Sequence, residues 1–291
     1  MDTQTTAIAP PPAPETRLGV VLRLVFFVGF VLAGASVLQL LLGGLFGGVI
    51  GATIGIFLTG LFANLLVMRI FDRRPLSDIG LGSGPGTSRN FALGILAGAG
   101  AAALLLSAPL LAGTAHIVPR PHSSFAWSSL LFYLITLLFG AAGEEMVFRG
   151  YAFQLLIRKL GPFATVLPVG VLFGLAHSFN PNATDLSVLN TALWGILIGY
   201  AFLRSHDLWL PIGLHYGWNA VLPLFGVNLS GLTIDITRYY YRWDLAALWS
   251  GGDYGPEGGL LTTIFVIALF FVLHRMPIVP QTAAIATVLN D

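Results

Sequence analysis

The sequence has 291 residues, of which 56% are hydrophobic and only 9% are charged, and its mean hydropathy is +0.83. Since soluble domains carry roughly a quarter charged residues, this composition predicts an integral membrane protein. A net charge of +1 with scattered basic residues argues against a nucleic-acid partner. The absence of cysteine excludes disulfides, thiolate metal sites and a cysteine nucleophile.

The first sixteen residues, "MDTQTTAIAPPPAPET", are polar and proline-rich. Such a segment cannot build a core, and we predict a disordered tail over 1–16. The apolar run that follows contains Ala33, Gly34 and Ala35, a pattern like a signal-peptide cleavage site, but it continues well past them. We therefore interpret it as a retained first helix, with a membrane domain over 17–276 and a C-terminal tail over 277–291.

A membrane-spanning helix needs about twenty apolar residues. The number of apolar runs of this length predicts an all-α, polytopic membrane helix bundle of about eight transmembrane helices. The predicted spans run near residues 19–44, 47–71, 91–114, 125–158, 162–179, 186–205, 208–226 and 259–275.

The distribution of lysine and arginine predicts the orientation of these spans. Three basic residues, Arg120, Arg238 and Arg242, fall at one face. Ten fall at the other: Arg17, Arg23, Arg69, Arg73, Arg74, Arg89, Arg158, Lys159, Arg204 and Arg275. By the positive-inside rule both termini are cytoplasmic. The single lysine, the lack of cysteine and the short tails favour a bacterial inner membrane protein.

Two adjacent carboxylates in "GEEMVFRG", Glu144 and Glu145, lie well inside a predicted span. A carboxylate at bilayer depth costs several kcal/mol, so its default interpretation is functional. Glu145 and Arg149 are four residues apart and share a helix face, whereas Glu144 is rotated off that face. We expect Arg149 to neutralise Glu145 and leave Glu144 free. The structural alternative is a single ion-pair network that only fixes helix packing.

Other polar residues stand on later apolar spans. His177 ends "FGLAH", and "HYGWN" places His215 and Asn219 on one helix face. Glu144 lies seventeen residues before Gly161 and His177 sixteen after it. In a helix hairpin the two side chains are then level, roughly 24 Å from the turn. We predict one intramembrane site, nearer the cytoplasmic half of the bilayer.

These groups are the parts of a peptide hydrolase. A carboxylate facing an imidazole can remove a proton from water as it attacks a carbonyl, which assigns Glu144 as base and His177 as its partner. His215 and Asn219 can donate hydrogen bonds to the oxyanion. Zinc bound by two histidines and a glutamate is the competing interpretation. Against zinc, the HExxH signature is absent, and Arg149 makes a poor neighbour for a divalent cation.

The stretches "EEMVFRG", "FGLAH" and "HYGWN" resemble the EExxxR, FxxxH and HxxxN motifs of the CAAX prenyl endopeptidase and bacteriocin-processing family, also called the Abi or type II CAAX protease family. They occur in the family's order on separate spans, with the similar core over 125–226. The resemblance implies an eight-helix intramembrane glutamate protease without a cofactor. Carried onto this sequence, the catalytic residues are Glu144, His177, His215 and Asn219, and the supporting residues are Glu145, Arg149 and Phe173.

The implied substrate is a peptide or protein in the lipid bilayer, with lipidated substrates among the candidates. Some members of this family trim prenylated C-terminal sequences, and others are tied to bacteriocin maturation and immunity. Two other classes stay open. A proton-coupled transporter also uses intramembrane glutamates and histidines, although it predicts internal repeats and broken helices. A non-catalytic scaffold or immunity protein predicts that Glu144 is dispensable.

Overall fold

A computed structural model describes residues 16–121 and 125–286. The helices are α1 (Arg17–Phe46), α2 (Gly48–Val67), α3 (Thr87–Leu111), α4 (Trp127–Arg149), α5 (Tyr151–Leu160), α6 (Phe163–Ala176), α7 (Asp185–Ser205), α8 (Trp209–Leu224), α9 (Ala247–Ser250) and α10 (Leu260–Arg275). The strands β1 (Ala115–Pro119) and β2 (Tyr239–Trp243) pair antiparallel. This two-stranded ribbon is a departure from an all-α fold.

Five helical segments in the described residues are long and apolar enough to cross a membrane: Arg17–Phe46, Gly48–Asp72, Thr87–Leu111, Trp127–Leu160 and Asp185–Ser205. Two shorter apolar segments are Phe163–Phe179 and Leu260–Arg275. Each predicted span overlaps at least one helix, which supports a multi-pass membrane bundle. The count of eight spans stays a prediction.

Close packing between α3 and α8 places the helix that carries His215. A methyl group added at Gly98 of α3 would overlap the backbone of α8, and one added at Gly217 would overlap the backbone of α3. Small residues let apolar helices approach closely where lipid offers no hydrophobic drive. On the other side of the bundle, α2 packs against both α1 and α4, and α6 packs against α7.

The helix predicted across 125–158 breaks at Gly150, between α4 and α5. The predicted span of 125–158 nevertheless matches the apolar segment Trp127–Leu160. Buried Asn64 of α2 supports the break: its amide donates to Met146 O (2.9 Å) and accepts from Tyr151 N (2.8 Å). Gln154 Nε2 donates to Arg149 O (2.9 Å). These side chains satisfy backbone groups that the helix break frees inside the bundle.

The described part of the predicted C-terminal tail, 277–286, packs against the bundle. Val279 N donates to Asn90 Oδ1 (3.0 Å), and Gln281 N donates to Ser205 O (2.7 Å). Asn90 also donates to Asp207 at the α7–α8 turn (2.6 Å), and burial raises the pKa of that carboxyl above its ordinary value. Residues 1–15 of the predicted N-terminal tail (1–16) lie outside the residues that the structure describes.

Replacing Asn64 with alanine should destabilise the protein, because Tyr151 N then loses its acceptor in a buried position. The expected loss is about 1–3 kcal/mol of unfolding free energy, the usual cost of an unsatisfied buried group. Thermal unfolding of the purified protein in detergent measures it. Ser36→Ala, which removes an exposed side-chain hydrogen bond on α1, is the control and should leave the Tm unchanged. Equal Tm values for the two variants would contradict the role given to Asn64.

Candidate active site

Three helices bring one carboxylate and two imidazoles together. Glu144 lies on α4, His177 follows the last residue of α6, and His215 lies on α8. Glu144 Oε2 is 3.7 Å from His177 Nε2 and 3.9 Å from His215 Nε2. The proximity of Glu144 and His177 agrees with the sequence prediction that the two side chains lie at the same height in a helix hairpin that turns at Gly161. Both distances exceed the range of a direct hydrogen bond.

Glu145 and Glu144 differ in burial, as their positions on different faces of the helix predict. The side chain of Glu145 is fully buried, whereas that of Glu144 is 27% exposed. Arg149 Nη1 lies 3.3 Å from Glu145 Oε1, which is the i,i+4 pair expected from the sequence. Arg149 Nη2 also donates to Gly195 O on α7 (2.8 Å). The pair therefore ties α4 to α7.

His215 makes a contact that the sequence did not predict. Its Nδ1 lies 2.8 Å from Glu145 Oε1, at hydrogen-bond distance. Because an ionised carboxylate only accepts, Nδ1 carries the proton and Nε2 points toward Glu144. Glu145 thus orients the imidazole in addition to pairing with Arg149.

Phe173, the first residue of "FGLAH", supports the site in two ways. Its carbonyl accepts from His177 Nδ1 (2.8 Å), so neutral His177 presents the lone pair of Nε2 to Glu144. Its ring packs on the imidazole of His177, with centroids 4.6 Å apart. The guanidinium of Arg149 lies 4.7 Å from the centroid of the same ring, a cation–π contact.

All four predicted catalytic side chains line one cavity of about 590 Å³. Glu144, His177 and His215 form its polar wall, and Asn219 follows His215 by one helical turn on the same face. The remaining lining is mostly apolar and comes from α1, α2, α4, α6, α7 and α8, from residues 179–181 and 229–234, and from Glu257. A cavity with a few convergent polar groups is the usual form of a site for a small or extended ligand.

Sequence reasoning missed Glu257, which lines the same cavity from the loop before α10. Its carboxylate is buried and accepts from Trp218 Nε1 (3.1 Å), Ser230 N (2.5 Å) and Ser230 Oγ (2.8 Å). As one acidic residue in a long polar loop, it carried no signal in the sequence. Its burial follows from the folding of that loop over the bundle.

Within residues 16–121 and 125–286, no group of three or more His, Cys, Asp or Glu side chains is arranged to hold a metal ion. The roles of the four cavity residues, and a reaction without a cofactor, stay predictions.

The long apolar helices indicate a multi-pass membrane protein, and its cavity is lined by carboxylates and imidazoles. The model of a protein family described as type II CAAX prenyl endopeptidase Rce1-like matches residues 125–221, a stretch that contains all of the candidate site residues. The match agrees with the resemblance drawn from the three motifs and supports, in general terms, a CAAX-type intramembrane protease. No curated protein and no solved structure matches the chain.

Replacing Arg149 with methionine should destabilise the protein strongly, because Glu145 is then left buried without its cation. Removing one partner of a buried pair typically costs about 3–5 kcal/mol. The double variant Glu145→Gln/Arg149→Met removes both charges and should recover part of that loss. Thermal unfolding in detergent compares the three proteins. A single variant as stable as the wild type would show that the pair does not hold the helices together.

Proposed function

We propose that this protein is a glutamate endopeptidase that hydrolyses a peptide bond of a membrane-associated substrate. The observation that supports the proposal most directly is the carboxylate of Glu144, which faces Nε2 of two histidines across a gap at the cavity wall. The family match over this region supports the same class of reaction.

Glu144 acts as the general base. The distance of 3.7 Å between Glu144 Oε2 and His177 Nε2 is too long for a direct hydrogen bond. A water at this place donates one hydrogen to the carboxylate and the other to the imidazole, so that an oxygen lone pair is free to attack a carbonyl. Glu144 takes the proton during the attack and returns it to the leaving amine.

His215 and Asn219 stabilise the oxyanion. Protonated His215 donates from Nε2, while Glu145, bonded to Nδ1, holds the ring in position and stabilises its positive charge. The Asn219 amide supplies a second donor from the next turn of α8. Such donors act most strongly where the surroundings are apolar, as they are in this cavity.

The substrate that suits this cavity is a peptide held at the membrane, with lipidated peptides included. The ten basic residues at one predicted face support cytoplasmic termini, and we place the protein in a bacterial inner membrane. Zinc bound by the same residues is the alternative mechanism.

Loss of Glu144 or His177 should abolish cleavage. For the purified protein in lipid nanodiscs with a fluorogenic peptide library that includes lipidated peptides, we expect Glu144→Gln and His177→Ala to lower kcat about 10³-fold or more, because proton transfer is lost. Asn219→Ala should lower kcat about 10²-fold through loss of one oxyanion donor. Asp185→Asn, which removes an exposed carboxylate at the start of α7, is the matched control and should cleave normally.

Treatment with a metal chelator distinguishes water activation by Glu144 from a zinc-dependent mechanism. Activity that depends on Glu144 and survives prolonged chelation supports the glutamate mechanism. Activity lost on chelation and restored by zinc would overturn it in favour of a metalloprotease. Proton flux through vesicles that depends on Glu144, without peptide cleavage, would support a transporter instead.

A further inference from the structure

We infer that Glu257 is a positioning residue for the proposed peptide hydrolysis. Its carboxylate joins α8 to the turn at residues 229–232, and this turn binds the segment that follows His177. Glu257 lies outside residues 125–221, the stretch that the family model matches. The inference rests on the proposed endopeptidase function and adds a residue that acts on the reacting groups through its neighbours.

The carboxylate of Glu257 binds two separate parts of the chain. Its Oε1 accepts from Trp218 Nε1 on α8 (3.1 Å). Its Oε2 accepts from Ser230 N (2.5 Å) and Ser230 Oγ (2.8 Å). Hydrogen bonds to a carboxylate are stronger than those between neutral groups, and this one is buried. One oxygen of Glu257 therefore holds the helix and the other holds the turn.

The backbone of the 229–232 turn depends on this support. Its first and last residues exchange both backbone hydrogen bonds (2.9 and 2.8 Å), and its two central residues, Ser230 (φ 49°) and Gly231 (φ 82°), are both left-handed. This conformation is ordinary for glycine but unfavourable for serine. Because the backbone N and the hydroxyl of Ser230 both donate to Glu257, the carboxylate stabilises the strained residue.

The same turn contacts the segment that carries His177. Asn180 N donates to His177 O (3.1 Å), and Asn180 Nδ2 donates to Ser230 O (3.0 Å). A methyl group added at Gly231 would overlap the carbonyl oxygen of Pro181. The turn therefore packs directly on the residues that follow His177.

On α8, the partner of Glu257 lies between the two proposed oxyanion donors in the sequence. Trp218 follows His215 by three residues and directly precedes Asn219. Its indole is buried and packs on Trp194 of α7, with ring centroids 4.7 Å apart. Rotation of α8 would move all of its side chains together and would break the buried bond from Trp218 to Glu257. This bond therefore fixes the directions of His215 and Asn219.

The backbone of Glu257 is itself anchored to the bundle. Asn190, which is fully buried on α7, donates from Nδ2 to Glu257 O (2.8 Å) and Gly259 O (2.9 Å). Thr263 Oγ1 of α10 donates to Asn190 Oδ1 (2.6 Å). The carboxylate of Glu257 thus projects from a segment that two helices hold in place.

These contacts form a continuous connection between the segments that carry His177 and His215. The proposed reaction needs both imidazoles at set distances from Glu144, and a displacement of about 1 Å in such a site can cost about 10²-fold in rate. Glu145 orients the ring of His215 from one side. Glu257 sets the position of the helix that carries that ring.

The variant Glu257→Gln tests this role. The amide keeps the size of the side chain but places N–H groups against donors, so at least one of the three hydrogen bonds is lost. In lipid nanodiscs, with a peptide that the wild-type protein cleaves, kcat should fall about 10- to 10²-fold while KM changes less than about twofold. Asp253→Asn removes an exposed carboxylate from the same loop and should keep the wild-type kcat.

Two further variants separate positioning from a purely structural role. Trp218→Phe removes only the indole donor, keeps an aromatic ring beside Trp194, and should lower kcat in the same way, which also covers the case that Glu257→Gln fails to fold. In an Asn219→Ala background, Glu257→Gln should cost several-fold less in kcat than in the wild type, because one donor that it positions is already gone. Equal losses in both backgrounds would contradict the connection through α8.

The outcomes distinguish this inference from the proposed function. Thermal unfolding of each variant gives the Tm, and kcat is measured well below it. Cleavage that depends on Glu144, with a wild-type kcat in both Glu257→Gln and Trp218→Phe at any Tm, would overturn the inference and leave the endopeptidase in place. If no peptide is cleaved in a manner that depends on Glu144, the proposed function is wrong, and this inference with it.

Discussion

The site depends on one buried carboxylate, that of Glu145. It accepts from Arg149 on its own helix and from His215 on α8, and Arg149 reaches on to the backbone of α7 at Gly195. A charge with no access to water is tolerated only when donors surround it. This requirement fixes three helices relative to one another. It also leaves the neighbouring Glu144 directed at the cavity.

A second requirement, that buried backbone groups be paired, shapes the region next to the site. The chain leaves α4 at Gly150, immediately after Arg149, and Asn64 and Gln154 bind the backbone groups around that break. Each of these side chains is fully buried. Glu144 and Glu145 therefore lie within two turns of the end of α4, where buried hydrogen bonds hold the backbone. This support limits the motion of both side chains, and a reaction requires accurate positions of its groups.

Local patterns in the sequence determined the membrane class, the positions of the helices, the Glu145–Arg149 pair and the level at which Glu144 and His177 meet, because length, composition and helical periodicity act over short stretches of chain. The tertiary structure alone decided the bond between His215 and Glu145, the break at Gly150, the burial of Glu257 and the packing of 277–286 against the bundle. Each of these depends on groups brought together from distant parts of the chain, as when Asn64 stabilises a break next to Tyr151. Sequence periodicity does not predict such a contact. The free-energy cost of burying a polar group depends on the groups that surround it in the folded protein, and these come from distant parts of the sequence.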